Sequence, residues 1–280
     1  MFRLPLNVNL DSRVAVVTGA GGVLCALFSK ALALSGARVA LLDINEQAAA
    51  NAASEITEAG GVARAYACNV LDRASCESAR EAILRDFGPC SVLLNGAGGN
   101  NSRATTASEY HAPDAADPTF FNLDPEGVRF VFDLNFLGAF IPTQVFAADM
   151  LGREGCSVIN VSSMNAYTPL TKIPAYSAAK AAVSNFTQWL AVHFSRCGIR
   201  VNAIAPGFFV TEQNRSLLTK PDGSPTPRAD KILAATPLAR FGKPEELVGT
   251  LLWLLCEEAS GFVTGAVIPV DGGFSAYAGV

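Results

Sequence analysis

Val14-Ala-Val-Val-Thr-Gly-Ala-Gly-Gly22, with the helical pattern that follows from Val23 to Leu34, decides the fold. Val14 to Thr18 is a short apolar run of the kind a strand buried on both faces requires. Gly19, Gly21 and Gly22 turn the chain, and the periodic stretch after them returns it as a helix. A strand, a glycine turn and a helix N-terminus in that order make an anion cradle, because backbone N–H groups and the helix dipole face one point. Working outward, the alternation repeats. Strands are expected at 13–18, 37–42, 62–68, 91–95, 156–162, 199–204 and 266–270, and helices at 22–35, 45–59, 72–87, 124–151, 174–197 and 244–257. Such alternation demands right-handed crossovers and a parallel sheet, with ligands at the carboxyl ends of the strands.

The fold class is therefore α/β: a single doubly wound, Rossmann-like domain over 1–280, a seven-stranded parallel sheet with helices on both faces. Composition agrees, since half the residues are hydrophobic and only 16% are charged, as a sheet covered on both sides needs. A net charge of −4 offers no basic stripe and argues against nucleic acid. The seven cysteines are scattered without a C-x-x-C pair or a secretory signal, which points to reduced thiols in a cytoplasmic protein. No uninterrupted apolar run reaches ~18 residues, so no membrane span is expected. Leu247 to Cys256 is the most apolar stretch, and flanking Glu245, Glu246, Glu257 and Glu258 mark it as a buried helix. Met1 to Leu10 has neither the charge nor the apolar core of a targeting peptide.

Two groups of polar residues carry chemistry. Val39-Ala-Leu-Leu-Asp43 is a second strand ending in a carboxylate, where it can bond the ribose hydroxyls of NAD and repel the 2′-phosphate of NADP. Asp43 could instead be a helix N-cap, and the glycines a mere turn. Tyr176-Ser-Ala-Ala-Lys180 lies in an Ala-rich helical stretch, and positions i and i+4 share one helix face. A phenol has a pKa near ~10, and a nearby ammonium favours its ionised form, which makes tyrosine a usable acid/base. Ser163 ends the strand Cys156 to Ser163 and could bond the same substrate oxygen. Tyr-x-x-x-Lys alone also describes an ordinary exposed helix pair.

In order along nearly the whole sequence stand Thr18-Gly19, Asn69-Val70, Asn95-Gly-Ala-Gly98, Asn135, Ser163, Tyr176, Lys180, Asn202-Ala-Ile-Ala-Pro-Gly207 and Val270-Asp-Gly-Gly273. This ordered set resembles the short-chain dehydrogenase/reductase family. The resemblance implies NAD as cofactor, Tyr176 as general acid/base, Ser163 as oxyanion stabiliser, Lys180 lowering the tyrosine pKa and binding the nicotinamide ribose, and Asn135 holding a water. It also implies a cofactor lining of Gly19, Gly21, Gly22, Val23, Leu24, Asp43, Asn69, Val70, Asn95, Gly96, Ala97, Tyr176, Lys180, Pro206, Gly207, Phe209 and Thr211. Members commonly form tetramers through two long helices, here 124–151 and 174–197. The sequence differs from the family at Val23 and Cys25, which replace the last two glycines of Thr-Gly-x-x-x-Gly-x-Gly, at Asn69 for Asp, and at Gly96 for the second Asn.

A narrower likeness rests on the turn at Gly22-Val-Leu-Cys25, on Asn95 to Asn101, on Ser163 to Tyr176 and on Pro206 to Arg215. These resemble the D-mannonate oxidoreductases of the short-chain type, a sugar-acid family, and imply the interconversion of D-mannonate and D-fructuronate. Another sugar acid, a polyol or a 3-oxoacyl substrate keeps the same chemistry, and a non-catalytic cofactor-binding regulator is the reading from another class. Two long connections, 98–125 and 211–240, leave strand ends where substrate must sit, and the second is expected to be a mobile lid. A carboxylate substrate asks for a cation: Arg215, Lys172 or Arg103. Asn100, Asn101, Asn165 and Gln213 could bind hydroxyls. Of the two histidines, His193 reads as structural and His111 as a loop residue within reach of substrate. Neither has a Cys/Asp/Glu cluster around it, so no metal is expected.

Overall fold

The computed structural model describes residues 8–114, 116–211 and 215–279. Seven parallel strands form one sheet in the order β3-β2-β1-β4-β5-β6-β7. They are β1 Val14–Thr18, β2 Arg38–Asp43, β3 Val62–Ala67, β4 Val92–Asn95, β5 Cys156–Val161, β6 Ile199–Pro206 and β7 Val267–Val270. The order reverses between β1 and β4, whose register pairs Ala15 with Val92 and Thr18 with Asn95. A crevice opens beyond those two strand ends, where a doubly wound sheet binds its ligand.

Helices cover both faces: α1 Val23–Leu34, α2 Glu46–Glu58, α3 Arg73–Asp86, α4 Pro125–Phe132, α5 Gly138–Phe146, α6 Pro174–His193, α7 Arg215–Leu218, α8 Pro227–Ala234, α9 Val248–Leu255 and α10 Glu257–Ser260. Strand side chains alternate between two cores. Ala15, Val17, Val39 and Leu41 face a cluster with Phe28 and Leu32 of α1 and Leu251 and Leu254 of α9. Val14, Val16, Ala40 and Leu42 face Ile83 of α3, Phe146 of α5 and Leu190 of α6. Each fully buried Val or Leu contributes roughly 1.5–3 kcal/mol, which is why these strands read as unbroken apolar runs.

Every expected strand and helix is present, with three differences. The expected helix 124–151 is composite: α4, a π turn at Asp133–Leu137, α5 and a 3-10 turn at Ala147–Met150. This Pro125–Met150 run has the length and mean hydropathy (26 residues, 1.4) to cross a membrane, yet half of its apolar window is buried in the protein. Glu126, Arg129, Asp133, Asn135 and Gln144 interrupt it, so the sequence shows no continuous run. The helix expected to reach 197 ends at His193, and turns carry the backbone to Gly198, which takes a positive φ of 78°. The expected loop 211–240 contains α7 and α8; Thr226 caps α8 by accepting from the Ala229 N–H at 3.2 Å, with Pro227 in the first turn.

The ends of β1 and β4 are held unusually close. The Thr18 hydroxyl accepts from the N–H groups of Gly96 (3.1 Å) and Ala97 (3.3 Å). Gly19 has φ +67°, and a Cβ there would stand 2.9 Å from the Ala97 backbone. A Cβ on Gly96 would stand 2.1 Å from the Cys25 sulfur. Two departures from the family pattern are thus one feature: a thiol replaces a glycine of the turn and fills the space where the opposite strand end lacks a side chain. Gly96→Ala is expected to destabilise the protein by about 1–3 kcal/mol through overpacking. The loss should be clearly smaller in a Cys25→Gly background, as contacting sites couple. Denaturant unfolding of the four variants checks this; equal losses in both backgrounds would disprove the coupling.

Candidate active site

The cradle fits a dinucleotide. Gly22 is the N-cap of α1 and supplies no side-chain cap, so the first N–H groups of the helix, including those of Val23 and Leu24, are available to an anion. A side chain at Gly21 would press on Ala48 (2.8 Å) and on the Asp43 carboxylate (3.1 Å), which keeps the turn low against the β2 end. Asp43 accepts from Gly21 N–H at 2.9 Å and from Asn45 N–H at 2.8 Å. It is not the cap of α2; Asn45 is, accepting from Ala48 N–H at 3.1 Å. Asp43 therefore stands as a carboxylate braced at the strand end beside the glycine turn, as a ribose acceptor must.

The acid/base group forms where β5, α6 and the π turn meet. Ser163 lies just past β5, is buried, and accepts from the Asn165 N–H at 3.2 Å. Ala-rich α6 carries Tyr176 and Lys180 on one face, with the Lys180 nitrogen 5.7 Å from the centre of the Tyr176 ring. Lys180 is buried and donates to the Val161 carbonyl at 2.8 Å. Its backbone carbonyl accepts from Ser162 (3.2 Å), and Ser162 also bonds Ser184 at 2.7 Å. Ser162 was not singled out from the sequence, although it pins α6 to the strand. Burial without a countercharge pushes the Lys180 ammonium down to about 8.

The Tyr176 phenol departs from expectation. Its pKa is raised, because burial disfavours the phenolate, and the neighbouring Ser163 hydroxyl offsets this only in part. The expected lowering by Lys180 is not seen: the ammonium is itself desolvated and bonded to Val161. Asn135 sits in the π turn, where bonding slips to i+5 and frees a carbonyl from its i+4 amide. Its side chain donates to Val131 (2.8 Å) and Gly99 (2.7 Å) carbonyls and accepts from Gly99 N–H at 3.2 Å. A Cβ on Gly98 would stand 2.7 Å from the Asn135 oxygen and 3.1 Å from the Lys180 nitrogen, so only glycine lets all three elements converge.

A family model described as enoyl-(acyl carrier protein) reductase, one of the short-chain dehydrogenase models, matches residues 24–275. The protein belongs to the short-chain dehydrogenase/reductase family. It is 58% identical to an uncharacterized oxidoreductase of Haemophilus influenzae over 100% of this chain and 99% of that one. It is 52% identical to UxuB, an uncharacterized oxidoreductase of Bacillus subtilis, over 99% and 100% of the two chains. A crystal structure of a candidate D-mannonate oxidoreductase from Haemophilus influenzae, with bound NAD, superimposes with a TM-score of 0.95 at 58% identity, covering 99% of each chain.

Other expected site residues of this short-chain dehydrogenase fall in several groups. Gly96, Ala97, Pro206, Gly207 and Thr211 flank the strand ends, and exposed Asn69 and buried Val70 follow β3. Asn95 and Phe209 do not present side chains to the cleft. Asn95 is buried and donates to Thr143 and Asn160, both at 2.9 Å, and Phe209 packs into the core against Gly242. Arg103 is engaged by Asp124, Asn100 bonds Thr105 at 3.0 Å, Asn101 caps a 3-10 turn, and His111 packs edge-on against Phe121; these are local loop contacts. His193 stacks on Trp189 at 4.6 Å, a structural role. Asn165 is buried beside Ser163 with its side-chain oxygen unpartnered, Arg215 opens α7, and Gln213 lies outside the described residues. Among the described residues no cluster could hold a metal. Lys172 lines a cavity of about 440 Å³ beside the start of α6, together with Ile173 and with Arg228 and Lys231 of α8, two cations which the sequence reading missed. The i, i+3 spacing of these two just after a Thr-Pro helix start was the available signal.

The buried ammonium has a thermodynamic signature. Folded Lys180 releases its proton near 8, and the unfolded protein does so near 10.5. Between those values the unfolded state binds more protons, so native stability rises with pH. Lys180→Met should be inactive, and its melting temperature relative to wild type should be highest near pH 7 and fall steadily from pH 8 to 10.5. A pH-independent difference in thermal melts would contradict a desolvated Lys180.

Proposed function

We propose that the protein is an NAD(H)-dependent oxidoreductase that interconverts D-mannonate and D-fructuronate. The chemistry is carried by the grouping of Ser163, Tyr176 and buried Lys180 past the strand ends, with the Lys180 nitrogen 5.7 Å from the centre of the Tyr176 ring. The substrate is supported by likeness, over 99% of both chains, to the candidate D-mannonate oxidoreductase with bound NAD. NAD(H), when bound, accepts or supplies the hydride. Tyr176 gives its proton to the oxygen of the ketone being reduced and takes it back in oxidation. Ser163 donates a hydrogen bond to that oxygen as negative charge develops. Lys180, while it carries its proton, favours the phenolate by its positive charge, and Asn135 holds a water that connects the ammonium to solvent. Asp43 selects NAD over NADP by accepting from ribose hydroxyls and repelling a 2′-phosphate.

The domain reading keeps one catalytic domain, with 98–125 and 211–240 as loops over the substrate and the second as the lid. The protein is proposed to work as a homotetramer. Phe136, Phe140, Phe186, Trp189 and His193 stack in a continuous row along α5, α6 and the π turn, and Trp189 and Val192 are exposed at its end. Such a row suits burial against a second copy. Size-exclusion chromatography with light scattering is expected to show a tetramer, and Trp189→Glu a smaller species; a monomeric wild type would end this reading.

Purified protein with NADH and D-fructuronate should show rapid, saturable loss of NADH absorbance, faster than with D-tagaturonate or 5-ketogluconate and faster than with NADPH. Tyr176→Phe should lose at least about 100-fold in rate, as removal of a general acid does, and Asp43→Ala should narrow the NADH preference. No turnover of any sugar acid would reject the substrate, and full activity in Tyr176→Phe would reject the mechanism.

A further inference from the structure

The cavity beside the start of α6 is positively charged in a protein whose net charge is −4. Its floor belongs to the catalytic elements: Ile173 is the N-cap of α6, three residues before Tyr176, and Phe208 follows the end of β6. Phe208 and Phe274 meet edge-to-face at 5.2 Å and give it an apolar wall. Three cations face one carboxylate around it: Lys172, Arg228 and Lys231 against Glu109. Two of the cations are held in place. Lys231 pairs with Glu109 at 2.6 Å, and Lys172 donates to the Ala107 carbonyl at 2.7 Å. The Lys231 bond and the Lys172 charge hold the Glu109 carboxyl below its ordinary range, so it stays ionised. That leaves a surplus of two positive charges with Arg228 unengaged, since no hydrogen bond or ion pair of its side chain occurs among the described residues. Like charges gathered around one cavity repel unless an anion joins them, and a recessed cavity concentrates their field on that anion.

We infer that Arg228 and Lys172 bind the carboxylate of the substrate, with the guanidinium as a bidentate fork and the ammonium opposite, and that Arg228 sets the preference for acidic over neutral ketones. Lys231 and Glu109 hold α8 against the 98–125 loop, which keeps Arg228 over the cavity. Arg103, an alternative by sequence, is taken by Asp124. The inference rests on the sugar-acid reading for the name of the substrate, but what it requires is a carboxylate.

The test compares kcat and KM for D-fructuronate with those for D-fructose, its neutral counterpart, at saturating NADH. Arg228→Gln is expected to raise KM for D-fructuronate about 10- to 100-fold, the size of a lost charge-assisted pair. Its rate on D-fructose and its affinity for NADH, read by fluorescence titration, should stay near wild type, and Arg228→Lys should recover part of the loss. An unchanged KM for D-fructuronate, or an equal loss on both ketones, would overturn the clamp. Wild type that prefers the neutral ketone would overturn the clamp and the sugar-acid reading together. Wild type that prefers a different carboxylated ketone, with the preference lost in Arg228→Gln, would uphold the clamp and reject only the name of the substrate.

Discussion

The close approach of two strand ends governs everything above the sheet. β1 and β4 must part there, because the crossovers run to opposite faces, yet Thr18 bonds two N–H groups of the facing segment and Gly19 lies against Ala97. Only residues without side chains, or with one shaped to the gap, permit that distance. Cys25 and Gly96 solve the problem in the reverse sense to the usual family arrangement, with the bulk on the helix and the space on the strand end. The solution has an electrostatic consequence. Cys25 is fully buried, burial raises its thiol to about 12, and it therefore remains a neutral, compact filler behind Lys180.

The second constraint is the desolvation of Lys180. A buried ammonium is destabilising unless it is paired or hydrogen-bonded, and here a single backbone carbonyl serves. The same burial raises the Tyr176 phenol. The pair is therefore poised in its protonated forms, and only positive charge or hydrogen-bond donors brought into the cleft would favour the phenolate. A site that stabilises its ionised acid/base only when filled avoids a standing negative charge beside an apolar wall. The structure thus holds strain in solvation rather than in backbone geometry, as stability–function trade-offs at active sites commonly do.

The sheet was legible because its strands are buried on both faces and announce themselves as apolar runs, and the cradle because glycine has few other reasons to cluster between a strand and a helix. Strand parity gives the direction of the Asn95 side chain. Val92 and Leu94 face the α1 side, so Asn95 must face α5, where it meets Thr143. The same parity places Asp43 with Leu41 and Val39 on the cradle side, which agrees with its bond to Gly21. What composition could not show was a slip in hydrogen bonding. Nothing in Leu134-Asn-Phe-Leu137 distinguishes a π turn from an ordinary turn of α-helix, yet the slip lets Asn135 serve both Val131 and Gly99. Lys180 lowering Tyr176 followed from spacing alone, and spacing carries no information about solvent.

The segment 211–240 shows why function concentrates where sequence patterns are weakest. Its prolines, glycine and polar residues read as loop, but α8 needs only eight residues, a Thr226 cap and one apolar edge. That edge, Ala229 and Ile232 with Leu218, packs on Phe208, Val210 and Phe241 in a small cluster separate from the main cores. A cluster this small adds little stability, so the segment opens at lower free-energy cost than the sheet beneath it. A polar tie adds to its attachment: Lys231 of α8 to Glu109 of the 98–125 loop. Exposed ion pairs of this kind are weak individually. A segment attached through one small apolar cluster and a weak polar tie is held less firmly than the catalytic groups, which the core fixes.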